Sequence, residues 1–175
     1  KMKIPAIITT ALSLTAVSFL SSSGVQAEPE SGDVTVAVGD VRFIADDGTA
    51  TPLKKGDKVA VGGTVKTGGQ SRAVIVITPR SAIRVSENSE VVIETVNENS
   101  KPVDVMINLK DGSLGALIKP NAAGELDFKV RTPSGVAAAR GTFYAVVVSE
   151  GKGYAQVKEG QVEITPADEE EDGNQ

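Results

Sequence analysis

From Val34 onward the chain is dominated by short segments that alternate apolar with polar residues or run briefly apolar: "VTVAV", "VRFI", "RAVIVI", "AIRV", "EVVIET", "VDVMINL", "LDFKV", "TFYAVVV", "YAQV" and "QVEI". In "VDVMINL", Val103, Val105, Ile107 and Leu109 fall on one face, and in "LDFKV" so do Leu126, Phe128 and Val130. This is the spacing of a half-buried strand, because successive strand side chains point to opposite sides of a sheet. No window of about a dozen residues keeps a helical period in this part of the chain. The pattern predicts an all-β fold of many short strands, in a two-sheet or solenoid-like β architecture.

Turn formers separate the runs: "DDGT" (46–49), "KKGD" (54–57), "VGGT" (61–64), "TGGQ" (67–70), "KDGS" (110–113), "NAAG" (121–124) and "SEGKG" (149–153). Asp-Gly and Gly-Gly pairs supply the positive φ that tight connections need. A weak internal echo places a strand, a charged residue, a glycine and another strand around Gly39, Gly112 and Gly160. Ordinary strand-turn-strand repetition and a stacked arrangement reusing one turn both account for it.

The segment "TPSGVAAARGTFYAVVV" holds the densest candidate chemistry. Pro133 lacks a ladder donor, so Thr132-Pro133 is expected to end the strand before it. Ser134 to Ala139 reads as a small-residue crossing, and Gly141 permits a bend or bulge before "TFYAVVV". Arg140 could face solvent, cap carbonyls, or pair with Glu125 or Glu159. Its functional reading is an anion-binding arginine. One arginine beside one glycine lacks the fixed lysine and hydroxyl of a phosphate loop, so the structural reading stands ahead.

The N-terminus adds an address. Lys1 and Lys3 precede the uncharged stretch Ile4 to Leu20, and "SSSGVQA" follows with Val25 and Ala27 at the small-residue positions of a cleavage site. The stretch approaches the ~20 residues of a spanning helix, but Pro5 and several hydroxyl residues dilute it. Lys1 ahead of Met2 is unusual for a natural start. The expected organisation is a signal peptide over 1–27, a polar lead-in over 28–37, a β domain over 38–165 and a disordered acidic tail over 166–175, with five successive acids from Asp168 to Asp172. The expected location is extracytoplasmic, periplasmic or secreted, with membrane contact only through the signal peptide.

Composition narrows the chemistry. The chain has 18 Lys+Arg against 23 Asp+Glu, a formal charge of −5, which disfavours nucleic acid and anionic lipid as partners. It has no His, Cys or Trp. Disulfides, a lipid on cysteine, Ser-His-Asp and Cys-His arrangements, and the usual zinc and copper ligands are therefore absent. No metal or other cofactor is expected. A carboxylate-only hydrolase remains chemically possible. Asp104 and Asn108 share the polar face of one strand and Asp127 lies on another, but sequence alone does not bring them together. Past the leader only Phe43, Phe128, Phe143, Tyr144 and Tyr154 could stack a sugar, few enough to be used in a core. No residue is assigned a catalytic role, and the chain is read as not an enzyme.

The order "GDVRF", "LKKGDKVAVGGTVKTGGQSRAVIVITPRSAIRVSENSEVVI", "VMINLKDGSLGALI", "FKVRTPSGVAAARGTFYAVVV" and "VKEGQVEI" resembles the FecR domain family. The family's pattern falls here on Gly56-Asp57, Thr67-Gly68, Thr132-Pro133-Ser134-Gly135, Arg140-Gly141-Thr142 and Glu159-Gly160-Gln161-Val162, with Phe143 directly after the threonine as a departure in spacing. The resemblance implies an extracytoplasmic β domain. In iron-responsive regulators of that family the domain takes a signal from an outer-membrane receptor and passes it through a membrane helix to a segment controlling a sigma factor. Only one to three residues stand ahead of the hydrophobic stretch, so the sigma-factor role is not carried over. The expectation is a stand-alone exported binding module for a protein or envelope component, engaged through strand edges and loops; a structural or glycan-associated envelope protein is the alternative. The charged turns "LKKGDK" and "SENSE" read as devices that keep strand edges soluble.

Overall fold

The computed structural model describes residues 31–119 and 125–167. The expected signal peptide, the "NAAG" turn and the acid run Asp168 to Asp172 lie outside the described residues. The described chain is all-β, with the strands β1 (Ser31–Val38), β2 (Val41–Ile44), β3 (Ala50–Pro52), β4 (Lys58–Ala60), β5 (Thr64–Thr67), β6 (Arg72–Thr78), β7 (Ser81–Val85), β8 (Glu90–Asn97), β9 (Val103–Ile118), β10 (Leu126–Thr132), β11 (Gly135–Ser149) and β12 (Lys152–Pro166).

All belong to one 12-stranded sheet that folds over itself along its long strands. The first half of β9 pairs antiparallel with β8 and parallel with β10, from Leu126↔Val103 to Arg131↔Asn108. Its second half pairs with β7 and β11. The other strands follow this division. The first layer runs β3-β2-β5-β8-β9-β10, continuing into the first half of β11 and the second half of β12. The second layer runs β4-β1-β6-β7-β9, continuing into the second half of β11 and the first half of β12. Inward residues of both layers form one core, from Ile75, Ile83 and Leu114 in the second layer to Ile93, Ile107 and Phe128 in the first.

The bends are written in the phase of the apolar residues. In β9, Val105, Ile107 and Leu109 are buried at odd positions, then Leu114, Ala116 and Ile118 at even ones. Period two breaks at Asp111-Gly112, so the strand turns its other set of side chains inward after the bend. β11 does the same: Ala137 is buried before the bend, Tyr144, Val146 and Val148 after it, and its register with β12 shifts between Arg140 and Tyr144. β12 follows in step, with Ala155 opposite buried Val146 and Val162 packed against the core.

Several sequence expectations change accordingly. "KDGS" is not a turn but the bend inside the 16-residue β9. Gly135 to Ala139 is not a crossing but the first half of β11, which runs on without a break into "TFYAVVV". Short strands were expected throughout, and three are long because a bend lets one strand serve both layers. The strand β1 occupies most of the expected lead-in 28–37, and Pro166, expected to open the tail, ends β12.

Candidate functional site

The residues singled out in the sequence do not gather at one place. Gly56-Asp57 forms the turn into β4: the Gly56 amide donates to Val34 O, and the Asp57 carboxylate accepts from the Lys54 amide at 2.7 Å. Thr132, buried at the end of β10, donates its hydroxyl to Gly135 O at 2.9 Å across the Pro133-Ser134 turn. A Cβ on Gly135 would overlap Thr165 O on β12. Arg140, Gly141 and Thr142 form the β11 bend, where Arg140 pairs in register with Gln161, and Gly160 lies at the matching bend of β12.

Thr67 and Gly68 belong to a seam where strands leave one layer for the other. Thr67, Ser71 and Ser89 are its buried hydroxyls. The Thr67 hydroxyl donates to Ser86 O and accepts from the Ser89 amide at 3.0 Å. Ser89 Oγ accepts from the Ser113 amide at 2.9 Å, and Ser71 Oγ accepts from the Asp40 amide at 2.8 Å. Gly68 donates its amide to Asp40 O and accepts from Asn88. These side chains complete the backbone bonding that a strand loses when it changes layer, which a buried corner requires. Gly39 and Gly112 face the seam with φ of 79° and 87°, and a Cβ on either would overlap a seam serine. Gly39, in the β1–β2 connection, and Gly112, inside β9, both stand where the chain passes between layers. "SENSE" lies in this seam, at the β7–β8 crossing, and not on an edge.

A cleft of about 550 Å³ opens beside the β6–β7 turn, lined by Thr78, Arg80, Glu98, Lys101, Glu125 and Leu126 among others. Arg80 and Glu125 form an ion pair there. Parallel pairing sets Asp104 beside Asp127, which sequence could not do. The Asp127 carboxylate is 2.7 Å from Lys129 Nζ on the outer surface of the sheet, so this acid has a cation as its neighbour. Among the described residues no three acids gather as a metal site. Tyr144 lies fully in the core with no hydrogen-bond partner for its hydroxyl among the described residues, and burial pushes its phenol above the usual range.

The two outer faces differ. On the first layer Lys66 and Lys110 flank Glu90 at 2.8 and 3.8 Å, Arg131 lies 3.7 Å from Glu94, and Asn108 donates to Glu94 at 2.7 Å. On the second layer Val36, Val74, Val76 and Ala82 are only half-buried, and Leu117 (53% exposed), Val147 (37%) and Tyr154 (57%) stand out. That apolar band ends on β12.

The strand β12 is also where the sheet stops. It pairs as a strand with β11 alone, and among the described residues its other side is left without a strand partner, although the Gly153 amide near its start donates to Ser134 Oγ at 2.6 Å. Ile164 lies opposite buried Ala137 and so belongs to the inward-facing set, yet it is 58% exposed. The core is therefore open at the Ile164 end of β12. Sequence reasoning found "YAQV" and "QVEI" as strands but had no signal for this, because edge position depends on which strand comes last in space.

A family profile described as FecR protein matches residues 63–163, more than half of the chain, from just before β5 into β12. No curated protein and no solved structure matches it.

Proposed function

The chain belongs to the FecR family, and on that premise we propose that it acts without catalysis, as an exported binding module that takes up an extended strand of a partner protein along β12. The observation that carries this reading is the inward-facing Ile164, left 58% exposed at the end of a long unpaired strand. Adding one strand supplies main-chain hydrogen bonds along the edge and covers apolar residues that the core leaves open. The apolar band ending at Tyr154 widens the surface that such a partner meets. The acidic balance of the chain and its leader-like N-terminus support an extracytoplasmic protein or envelope component as the target, and the family's association with signalling fits a receiving role.

A photo-crosslinking residue placed at Gln156 on β12, or at Ala60 on the opposite edge, tests the reading in intact cells. A single envelope protein captured from Gln156 and not from Ala60, with its attachment sites in one extended segment, is the expected result. Equal capture from both edges, or capture of wall polymer alone, overturns it.

A further inference from the structure

We infer that the β12 edge is self-complementary, so that two copies of the chain pair through antiparallel β12 strands and cap each other's open core. This rests on the reading of β12 as the binding edge and names an occupant for it.

Any strand added to β12 must change its inward-facing set where β12 does, between Ala155 and Val162, or it turns polar residues into the core after the corner. The strand β11 meets that demand through its own irregular register between Arg140 and Tyr144. A second β12 meets it by symmetry, since an antiparallel two-fold pairing sets bend against bend and keeps inner face with inner face.

One register satisfies both halves. With Tyr154 opposite Glu163 of the second copy, Ala155 falls opposite Val162, Gly153 opposite Ile164 and Lys152 opposite Thr165; the Gly153 amide exchanges its bond to Ser134 Oγ in the single chain for one to the second copy. Ala155, Val162 and Ile164 are the inward-facing residues of β12, and Tyr154 and Glu163 are outward-facing, since they pair with Val147 and Ala138. Small residues from one copy thus meet the larger ones of the other, and Ile164 gains cover on the side where it now has none. By two-fold symmetry each pairing occurs twice. The opposite edges of the sheet offer nothing comparable, because β3 and β4 are three residues each. One edge accepts one strand, so the paired form cannot receive a partner at β12, and dissociation of the two copies controls access to it.

The test uses the chain's lack of cysteine. A Tyr154→Cys chain and a Glu163→Cys chain are prepared separately and as a mixture, then oxidised. The mixture forms a covalent dimer, since facing positions lie within disulfide reach. Either chain alone does not, since its two cysteines sit roughly 30 Å apart along the paired strands. Sedimentation gives the second readout: Tyr154→Glu, facing Glu163, weakens association at least about tenfold, and Tyr154→Glu with Glu163→Arg restores it. A monomer at all concentrations, crosslinking by either single chain alone, or a dimer indifferent to these charges overturns the self-pairing. Capture of a foreign strand at Gln156 by a purely monomeric chain would leave the binding edge standing and remove only the second copy.

Discussion

The two ends of the sheet are finished in opposite ways. At one end β3 and β4 are short: β3 carries Pro52, which cannot donate to a neighbour, and β4 is preceded by "LKKGD" and begins at Lys58. The core beside them is sealed, with Val59 of β4 at 0% exposure and Leu53, the residue after β3, at 8%, although the three residues of β3 are themselves exposed. At the other end β12 is long, exposes Tyr154 and Ile164, and leaves the core uncovered at Ile164. Short strands, proline and lysine are the usual protections against unwanted pairing. Their use at one end shows how an edge of this fold is closed; β12 also begins with a lysine and ends with a proline, Lys152 and Pro166, but it lacks the shortness.

The largest effect should come from the sealed end. Val59→Ala removes two methyl groups from a closed site and is expected to cost about 2 kcal/mol in a denaturant titration. Ile164→Ala removes more carbon but from a half-wetted site, and should cost less than about 1 kcal/mol. Equal losses would mean that Ile164 is as enclosed as Val59, and the contrast between the ends would fail.

Tyr144, on the β11 strand next to β12, sharpens the comparison at intermediate size. Its buried hydroxyl has no partner among the described residues, so Tyr144→Phe should stabilise the protein by about 1 kcal/mol by removing an unsatisfied polar group. The same residue sets a pH dependence. The phenol is held protonated in the folded chain and ionises near its ordinary value of about 10 when unfolded. Its folded value is raised, so its contribution is intact below pH ~10 and is lost as pH climbs beyond. By pH ~11 the wild type should fall behind Tyr144→Phe by roughly a further 1.4 kcal/mol. Parallel stability curves for the two proteins between pH 9 and 11 would show that the phenol ionises as readily in the folded chain as in the unfolded one, and so is reached by water.

Much of this architecture was legible in the sequence, and the parts that were not share one physical cause. Alternation located the strands, and the turn formers at 46–49, 54–57, 61–64 and 67–70 do turn the chain. The phase change from Leu109 to Leu114 was also present, but two strands joined by a turn and one strand bent at a corner produce the same shift. Only pairing distinguishes them, since β9 keeps neighbours on both sides of Gly112. The seam escaped notice for a related reason: Ser71 and Ser89 look like loop serines until their hydroxyls are seen to bond backbone distant in sequence, in the β1–β2 connection and in β9. Edge position lies further still from sequence, because β12 is exposed through what is not beside it.

The smallest stability effect concerns the residue on which the reading of the open end rests. Ile164→Thr keeps the β-branched shape, suits a strand, and exchanges an exposed ethyl group for a hydroxyl that water can solvate. Folding stability should move by less than about 0.5 kcal/mol. Association through β12 should respond more, because there the same side chain passes from water into a closed core, where an unpartnered hydroxyl costs about 1–3 kcal/mol per site. Two sites per pair then weaken self-association by at least about tenfold while the monomer unfolds as before. A variant that loses stability and association in equal measure would place Ile164 within the monomer's own core, and the two ends of the sheet would no longer differ in kind.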